Sequence, residues 1–138
     1  MIRVQTEDFD VSNEIAALTK GRSDIGAIVS FSGLVRDVTL TLEHYPGMTE
    51  RELDRIEAEA HERWALQASL IVHRVGELAP GDNIVLVVTA SAHRKDAFEA
   101  AEFLMDYLKT RAPFWKREGE VWVEAKTSDD EAAERWKK

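Results

Sequence analysis

Lys109-Thr-Arg-Ala-Pro-Phe-Trp-Lys-Arg117 places four cationic side chains and a proline within nine residues of an otherwise acidic chain. Pro113 disfavours the helical conformation at the preceding residue and cannot continue a helix, so a helix that carries Lys109 is expected to end there. The chain then turns, anchored by two aromatic side chains, and brings Lys116 back near the helix end. Two ammonium groups held close together each disfavour the other's charge, which favours a reactive amine. The stretch is therefore a candidate chemical centre.

A purely structural role fits the same residues. Lysine and arginine in a last helical turn suit the helix dipole. Phe114 and Trp115, which follow the proline, would then be core residues. The stretch alone leaves both interpretations open.

Length and composition indicate one ordinary soluble domain over residues 1–138. The chain has 44% hydrophobic and 32% charged residues, and its length suffices for a real core. Residues 1–8 have no apolar segment typical of a signal peptide. No apolar run approaches the roughly 18 residues that a membrane span needs. We expect a cytoplasmic protein without a membrane partner.

The net charge and the absence of cysteine exclude several classes of function. A net charge of −8 argues against general nucleic-acid binding, which depends on many basic contacts to phosphate. A local basic patch on such a surface suggests a small anionic ligand or an acidic partner segment. Without cysteine, the chain has no disulfide, thiolate metal site or thiol nucleophile. If the reaction involves sulfur, another molecule must bring it.

The hydrophobic pattern predicts an α+β fold with antiparallel hairpins and helices packed on the sheet. Glycines near both ends of the apolar run 25–33 suggest close backbone approach there. Strands are predicted at residues 2–9, 25–33, 39–45, 68–75, 83–90 and 120–125, the second of them buried.

Capping residues predict where the helices begin. Asp10 or Ser12 caps a short helix to Leu18, and Thr49–Glu52 reads as a capping box for a helix to about residue 64. Ser91 is the expected N-cap of a long helix over 92–111, and the chain from Ser128 is acidic and weakly helical. The core face predicted for the long helix is Ala97, Phe98, Ala101, Leu104, Met105 and Leu108.

Further cations occur at positions where an anion could bind. His93 and Arg94 fall in the first turn of the long helix, where free N–H groups and the dipole already favour an anion. They are either an anion clamp or solvated surface groups balanced by nearby carboxylates. Arg36 follows the apolar run 25–33 and suits bidentate recognition of phosphate. No metal site is expected, because His44, His61 and His73 lack ligand spacing and are treated as structural or surface residues.

The cationic cluster at His93 and Arg94 and the one that begins at Lys109 lie at opposite ends of the predicted long helix. His93 and Lys109 are sixteen residues apart, which at about 1.5 Å per residue is roughly 24 Å. One small ligand cannot easily touch both ends. If both clusters serve one site, they come from different subunits, which predicts a homodimer with composite pockets.

Several segments resemble the catalytic (large) subunit of molybdopterin synthase, the MoaE family. The resemblance runs in order from about Gly26 to the C-terminus, and its longest block is the most specific. The matching segments are Thr41–Met48, His73–Glu77, Ser91–Arg94, Met105–Glu118 and Trp122–Ala125.

The resemblance implies an α/β hammerhead-type fold and a sulfurtransferase. A homodimer would bind two copies of a small ubiquitin-like sulfur carrier, MoaD-like, to form a heterotetramer. The carrier's C-terminal Gly-Gly thiocarboxylate would enter the active site as the sulfur source, and cyclic pyranopterin monophosphate would receive two sulfurs in two transfers, giving the molybdopterin dithiolene and opening the cyclic phosphate. No cofactor is implied, and the missing cysteine fits because the carrier supplies the sulfur.

The resemblance also implies residue roles. Lys109 and Lys116 match the family's active-site lysines. The substrate-binding positions are Leu34, Val35, Arg36, His93, Arg94, Arg117, Glu118 and Lys126.

Two features depart from the family pattern. The family usually has a longer loop bearing Asn and Gly after the Val-Arg pair, whereas here Asp37 runs straight into Val38 and Thr39. Lys126 stands where many relatives have arginine, so the charge is kept but the planar fork is lost.

Two other classes of function compete with the sulfurtransferase. One is a non-catalytic module whose basic pocket captures an acidic peptide tail or a nucleotide. The weaker one is a single-stranded RNA binder that stacks bases on Phe114 and Trp115.

Overall fold

Two four-stranded β-sheets and four helices make up the part of the chain that the computed structural model describes, residues 1–118, 121–123 and 127–137. The strands are β1 Ile2–Gln5, β2 Ala27–Leu34, β3 Leu40–His44, β4 Leu66–Arg74, β5 Gly76–Leu78, β6 Asn83–Ser91, β7 Phe114–Glu118 and β8 Val121–Val123. The helices are α1 Val11–Thr19, α2 Met48–Arg63, α3 Arg94–Arg111 and α4 Thr127–Glu134. The expected α+β fold is confirmed.

The first sheet has the strand order β1-β4-β6-β2, and the second has the order β5-β3-β7-β8. Described strand pairs are antiparallel except β1 and β4, which run parallel. The sequence pattern did not predict β5. It also missed β7, which begins directly at Phe114, whereas the strand predicted at 120–125 corresponds to β8.

Alternate side chains of β4 and β6 fill the cores on the two faces of the first sheet. Leu70 and Leu86 pack with α1 on one face. Ile71 and Val87 pack with α2 and α3 on the other. Because side chains alternate along a strand, burial on both faces requires the unbroken apolar runs seen in these strands.

β2 is an edge strand of the first sheet in the described structure, and not the buried strand that its composition predicts. Ile28, Phe31 and Leu34 are 42%, 42% and 53% exposed, respectively. The close backbone approach expected at the glycines of the run 25–33 is confirmed at Gly26, which directly precedes β2, whereas the nearest atom at Gly33 belongs to a side chain. A Cβ at Gly26 would lie 2.2 Å from the carbonyl oxygen of Ala92, and one at Gly33 would lie 2.9 Å from a methyl group of Val85.

Two helices begin at other residues than the capping pattern predicts. α2 starts at Met48, with Gly47 in a left-handed conformation (φ 86°) and its N–H donating to Glu50 Oε1 at 3.0 Å. Thr49 is buried, and its hydroxyl donates to the carbonyl of Tyr45. In α3 the N-cap is His93; Ser91 ends β6 and accepts a hydrogen bond from the His93 N–H.

The buried face of α3 differs from the predicted one at its aromatic residue. Phe98 is 60% exposed, whereas Phe103 and Tyr107 are almost fully buried. These two rings lie 4.5 Å apart and extend the core toward α2 and α4. Helical periodicity alone allowed a buried stripe that contains either Phe98 or Phe103. Phe103 is the buried one because α2 and α4 pack against its side of α3.

α4 docks on α3 through the tryptophan that follows it. The Trp136 ring meets those of Phe103 and Trp64 edge-on, and its Nε1 donates to Asp106 at 2.6 Å. This contact holds α4 beside the C-terminal half of α3. Within the described ranges, no helix combines the length and apolar character needed to cross a membrane.

Candidate active site

A cavity of about 300 Å³ lies where the C-terminal end of α3 meets β7 and the adjoining ends of β2, β4 and β6. Its apolar walls include Phe31, Leu34, Ile84 and Leu108. Its polar lining side chains are Lys109, Lys116, His73 and Asp129. Apolar walls with a few convergent polar groups are typical of a small-molecule or tail-binding site.

The proline turn brings the two predicted lysines into this one cavity. α3 ends at Arg111, and Ala112 is extended (φ −73°, ψ 133°), as a residue before proline should be. The chain then enters β7, which pairs antiparallel to β3 with Lys116 opposite Leu42. Lys109 in the last turn of α3 and Lys116 in β7 therefore line the same pocket. The predicted convergence is confirmed in this respect.

His73 is the buried polar group of the cavity. Its Nδ1 lies 2.8 Å from the carbonyl oxygen of Arg74, which can only accept, so Nδ1 carries the proton. Its ring stacks on Phe114, with centroids 3.8 Å apart and an interplanar angle of 15°. The pKa of His73 is lowered to about 4, mainly by burial and in smaller part by the nearby lysines, against the raising effect of the backbone hydrogen bond. The ring is neutral near pH 7.

The three consecutive substrate residues predicted from the end of β2 onward occupy different environments in the structure. Leu34 lines the cavity. Val35 is 5% exposed and packs in the core beneath the second sheet, so its side chain does not reach the cavity. Arg36 has a side chain 84% exposed, with Asp37 at 3.7 Å, and it lies outside the cavity lining. The short connection turns sharply: Asp37 has φ 70°, and the Val38 N–H donates to the Arg36 carbonyl.

His93 and Arg94 do not reach this cavity within one chain. Both are exposed at the first turn of α3, at the end of the helix opposite Lys109. This agrees with the separation expected from helix length.

Of the remaining predicted residues, Arg117 and Glu118 lie on β7 directly after Lys116. Because side chains alternate along a strand, Arg117 and Lys116 lie on opposite faces of the second sheet. Glu118 ends the strand and is exposed. Lys126 lies outside the described residues.

Sequence reasoning missed two polar side chains of the cavity. His73 was expected to be structural or at the surface, yet it is both buried and part of the site lining. Its place after an apolar strand, two residues beyond Ile71 on the same face, was the available signal. Asp129 comes from α4, and only the docking of that helix brings it to the cavity. No local pattern marks it.

Comparison with known proteins identifies the family of this chain. The model of the MoaE protein family matches residues 4–111. The chain belongs to the MoaE family. A molybdopterin synthase catalytic subunit from Mesorhizobium japonicum is 62% identical over 147 aligned positions, covering 99% of this chain and 92% of that protein. One from Rhizobium meliloti is 54% identical, covering 98% and 94%.

Solved MoaE structures share the fold. The Burkholderia ambifaria MoaE protein superposes with a TM-score of 0.89 at 55% identity, covering 99% of this chain and 98% of that chain. Molybdopterin synthase from Staphylococcus aureus gives a TM-score of 0.77 at 33% identity, covering 87% and 90%. The expected family, fold and enzyme class, a molybdopterin synthase catalytic subunit, are confirmed.

Within the aligned region, this MoaE chain has an internal deletion relative to the Mesorhizobium protein. The alignment spans 147 positions, but this chain has 138 residues, so the relative carries at least nine residues that this chain lacks. A shortened internal segment agrees with the tight turn that follows Arg36.

Proposed function

We propose that the cavity between Lys109 and Lys116 is where this MoaE protein transfers sulfur to cyclic pyranopterin monophosphate. The observation that carries the proposal is the convergence of the two lysines in one partly apolar pocket. The substrate phosphate and the thiocarboxylate are both anionic. Fixed ammonium groups stabilise such charges, and the charge that develops as the cyclic phosphate opens, more strongly in a pocket than in water. A lysine can also carry a proton during attack by sulfur.

The sulfur donor is a small ubiquitin-like carrier with a C-terminal Gly-Gly thiocarboxylate. The apolar walls formed by Phe31, Leu34 and Leu108 suit a slender tail without side chains, whose charged end would meet the lysines. A Helicobacter pylori structure with the same fold is a complex of subunits 1 and 2 of molybdopterin-converting factor. Its TM-score is 0.76 at 21% identity, so its likeness to this chain concerns the fold.

A homodimer would complete the site. β2 leaves one edge unpaired in the described structure and exposes Ile28, Phe31 and Leu34. Open strand edges with apolar side chains favour association. Because Phe31 and Leu34 also line the cavity, a second copy seated there would close it. His93 and Arg94 of that copy would then be available to bind the phosphate, within a heterotetramer of two catalytic and two carrier subunits.

Reconstitution tests the proposal directly. The purified chain is mixed with cyclic pyranopterin monophosphate and a carrier bearing the C-terminal thiocarboxylate, and mass spectrometry follows the pterin product. We expect a product with two added sulfurs. A carrier ending in an ordinary carboxylate is the matched control and should give none. Binding of carrier and pterin without any sulfur transfer would instead favour the non-catalytic binding module.

A further inference from the structure

His73 combines burial with access to the lysine pocket. It is 5% exposed and lies on β4, opposite Val85 of β6, on the face that packs toward α3. Phe114, stacked on its ring, is the first residue of β7 and lies between the two lysines in the chain. The imidazole therefore contacts the segment that sets where Lys116 stands relative to Lys109.

The hydrogen bond of His73 leaves one nitrogen for the pocket. Nδ1 donates to the Arg74 carbonyl, so in the neutral ring Nε2 is unprotonated and acts as an acceptor. His73 also lines the cavity that contains both lysines. The other charged and titratable groups around the ring are Lys109 from α3, Lys116 from β7, His44 from β3 and Asp129 from α4.

We propose that His73 is a positioning residue: its ring holds Phe114 in place, and its unprotonated Nε2 accepts a hydrogen bond from a pocket lysine during sulfur transfer. This inference rests on the proposed function of the same pocket. A neutral acceptor suits the task, because it adds no negative charge to the pocket beyond that of Asp129, and so preserves the positive charge that an anionic substrate needs. The imidazole orients an ammonium group and leaves its charge intact.

Two substitutions distinguish the stacking of the His73 ring on Phe114 from the hydrogen-bond acceptance by Nε2. His73→Phe keeps an aromatic ring to stack on Phe114 and removes Nε2. His73→Gln removes the ring and retains an amide oxygen at about the reach of Nε2. In the reconstituted enzyme we expect His73→Phe to lower kcat about tenfold or more, the size expected for losing a hydrogen bond to a charged group. His73→Gln should recover a large part of that loss.

The chemical reactivity of the pocket lysines should change only if His73 interacts with one of them, and not if His73 has a merely structural role. Brief acetylation with acetic anhydride across a pH series, followed by peptide mass spectrometry, reports the reactivity of each lysine. His73→Phe should change the pH profile at Lys109 or Lys116 and leave exposed Lys95 unchanged. Unchanged profiles at both pocket lysines, together with wild-type kcat, would overturn the proposal.

A measurement on the unmodified protein covers the case in which a variant does not fold. Nitrogen-15 NMR of the histidine rings should show His73 at pH 7 with a protonated Nδ1 and an unprotonated Nε2. A proton on Nε2 would overturn the proposal. NMR and acetylation need no turnover, so they test His73 even if the wild-type protein is inactive. Inactivity of the wild-type protein would contradict the proposed function alone. Normal turnover in His73→Phe with unchanged acetylation would sink only the role of His73.

Discussion

The rings of His73 and Phe114 lie parallel, 3.8 Å between centroids and 15° between planes, and join strands of different sheets. β4 contributes the histidine and β7 the phenylalanine. The stack places a titratable ring in the core beside the two lysines. It therefore links the pH dependence of folding to the position of the proposed active site.

Acid should destabilise the fold through His73. Its pKa falls from about 6.5 in the unfolded chain to about 4 in the folded protein, so between these values the unfolded state binds more protons. Stability is complete above the unfolded pKa and decreases as pH falls through this window, by about 3 kcal/mol in total. Denaturant unfolding of wild type and His73→Phe at a series of pH values measures it. The variant should lose less stability on acidification, and equal slopes would contradict the assignment.

Loss of either pocket lysine should nearly abolish sulfur transfer. Lys109→Ala and Lys116→Ala each remove a cation from the cavity in which we propose that the anions react, and we expect turnover to fall by about 10²-fold or more. Lys95→Ala is the matched control, since Lys95 is exposed in the first turn of α3. Turnover assays should be paired with thermal melts. A correctly folded Lys109→Ala or Lys116→Ala protein with near-normal turnover would exclude that lysine from the chemistry.

Mixed dimers should test the composite site. A Lys109→Ala chain still offers its Arg94, and an Arg94→Ala chain still offers its Lys109. If each pocket takes Arg94 from the second copy, a mixed dimer holds one intact pocket, and part of the activity should return. Differently tagged chains, co-purified as the mixed species, provide the measurement. No recovery in verified mixed dimers would show that Arg94 and Lys109 do not complement each other across subunits.

Gly26→Ala should strongly destabilise the protein. The added Cβ would lie 2.2 Å from the Ala92 carbonyl oxygen, a backbone atom that cannot move aside as a side-chain tip can. Overpacking of this kind costs about 1–3 kcal/mol, and the backbone contact puts this case at the upper end. Chemical denaturation measures the change, with exposed Ser23→Ala as the control. A shift no larger than the control's would mean that β2 adjusts freely at this end.

Local patterns predicted much of the fold because neighbouring residues set it. The proline after Ala112 excludes a longer helix by steric contact, and the apolar runs of β4 and β6 suit strands that are buried on both faces. Helical periodicity could not distinguish Phe98 from Phe103 as the buried aromatic residue of α3, since either completes an apolar stripe. The choice depended on α2 and α4, which cover only one of them.

The sequence by itself determined the end of the long helix, the return of Lys116 to Lys109, the lack of any cysteine thiol that could donate sulfur, and the family. These depend on covalent geometry and on residue types that stand close together in the chain. Only the tertiary structure decided that His73 is buried beside the lysines, that Asp129 joins them, and that β2 lies at an open edge. Burial depends on which distant elements pack together, and no short stretch of sequence contains that information.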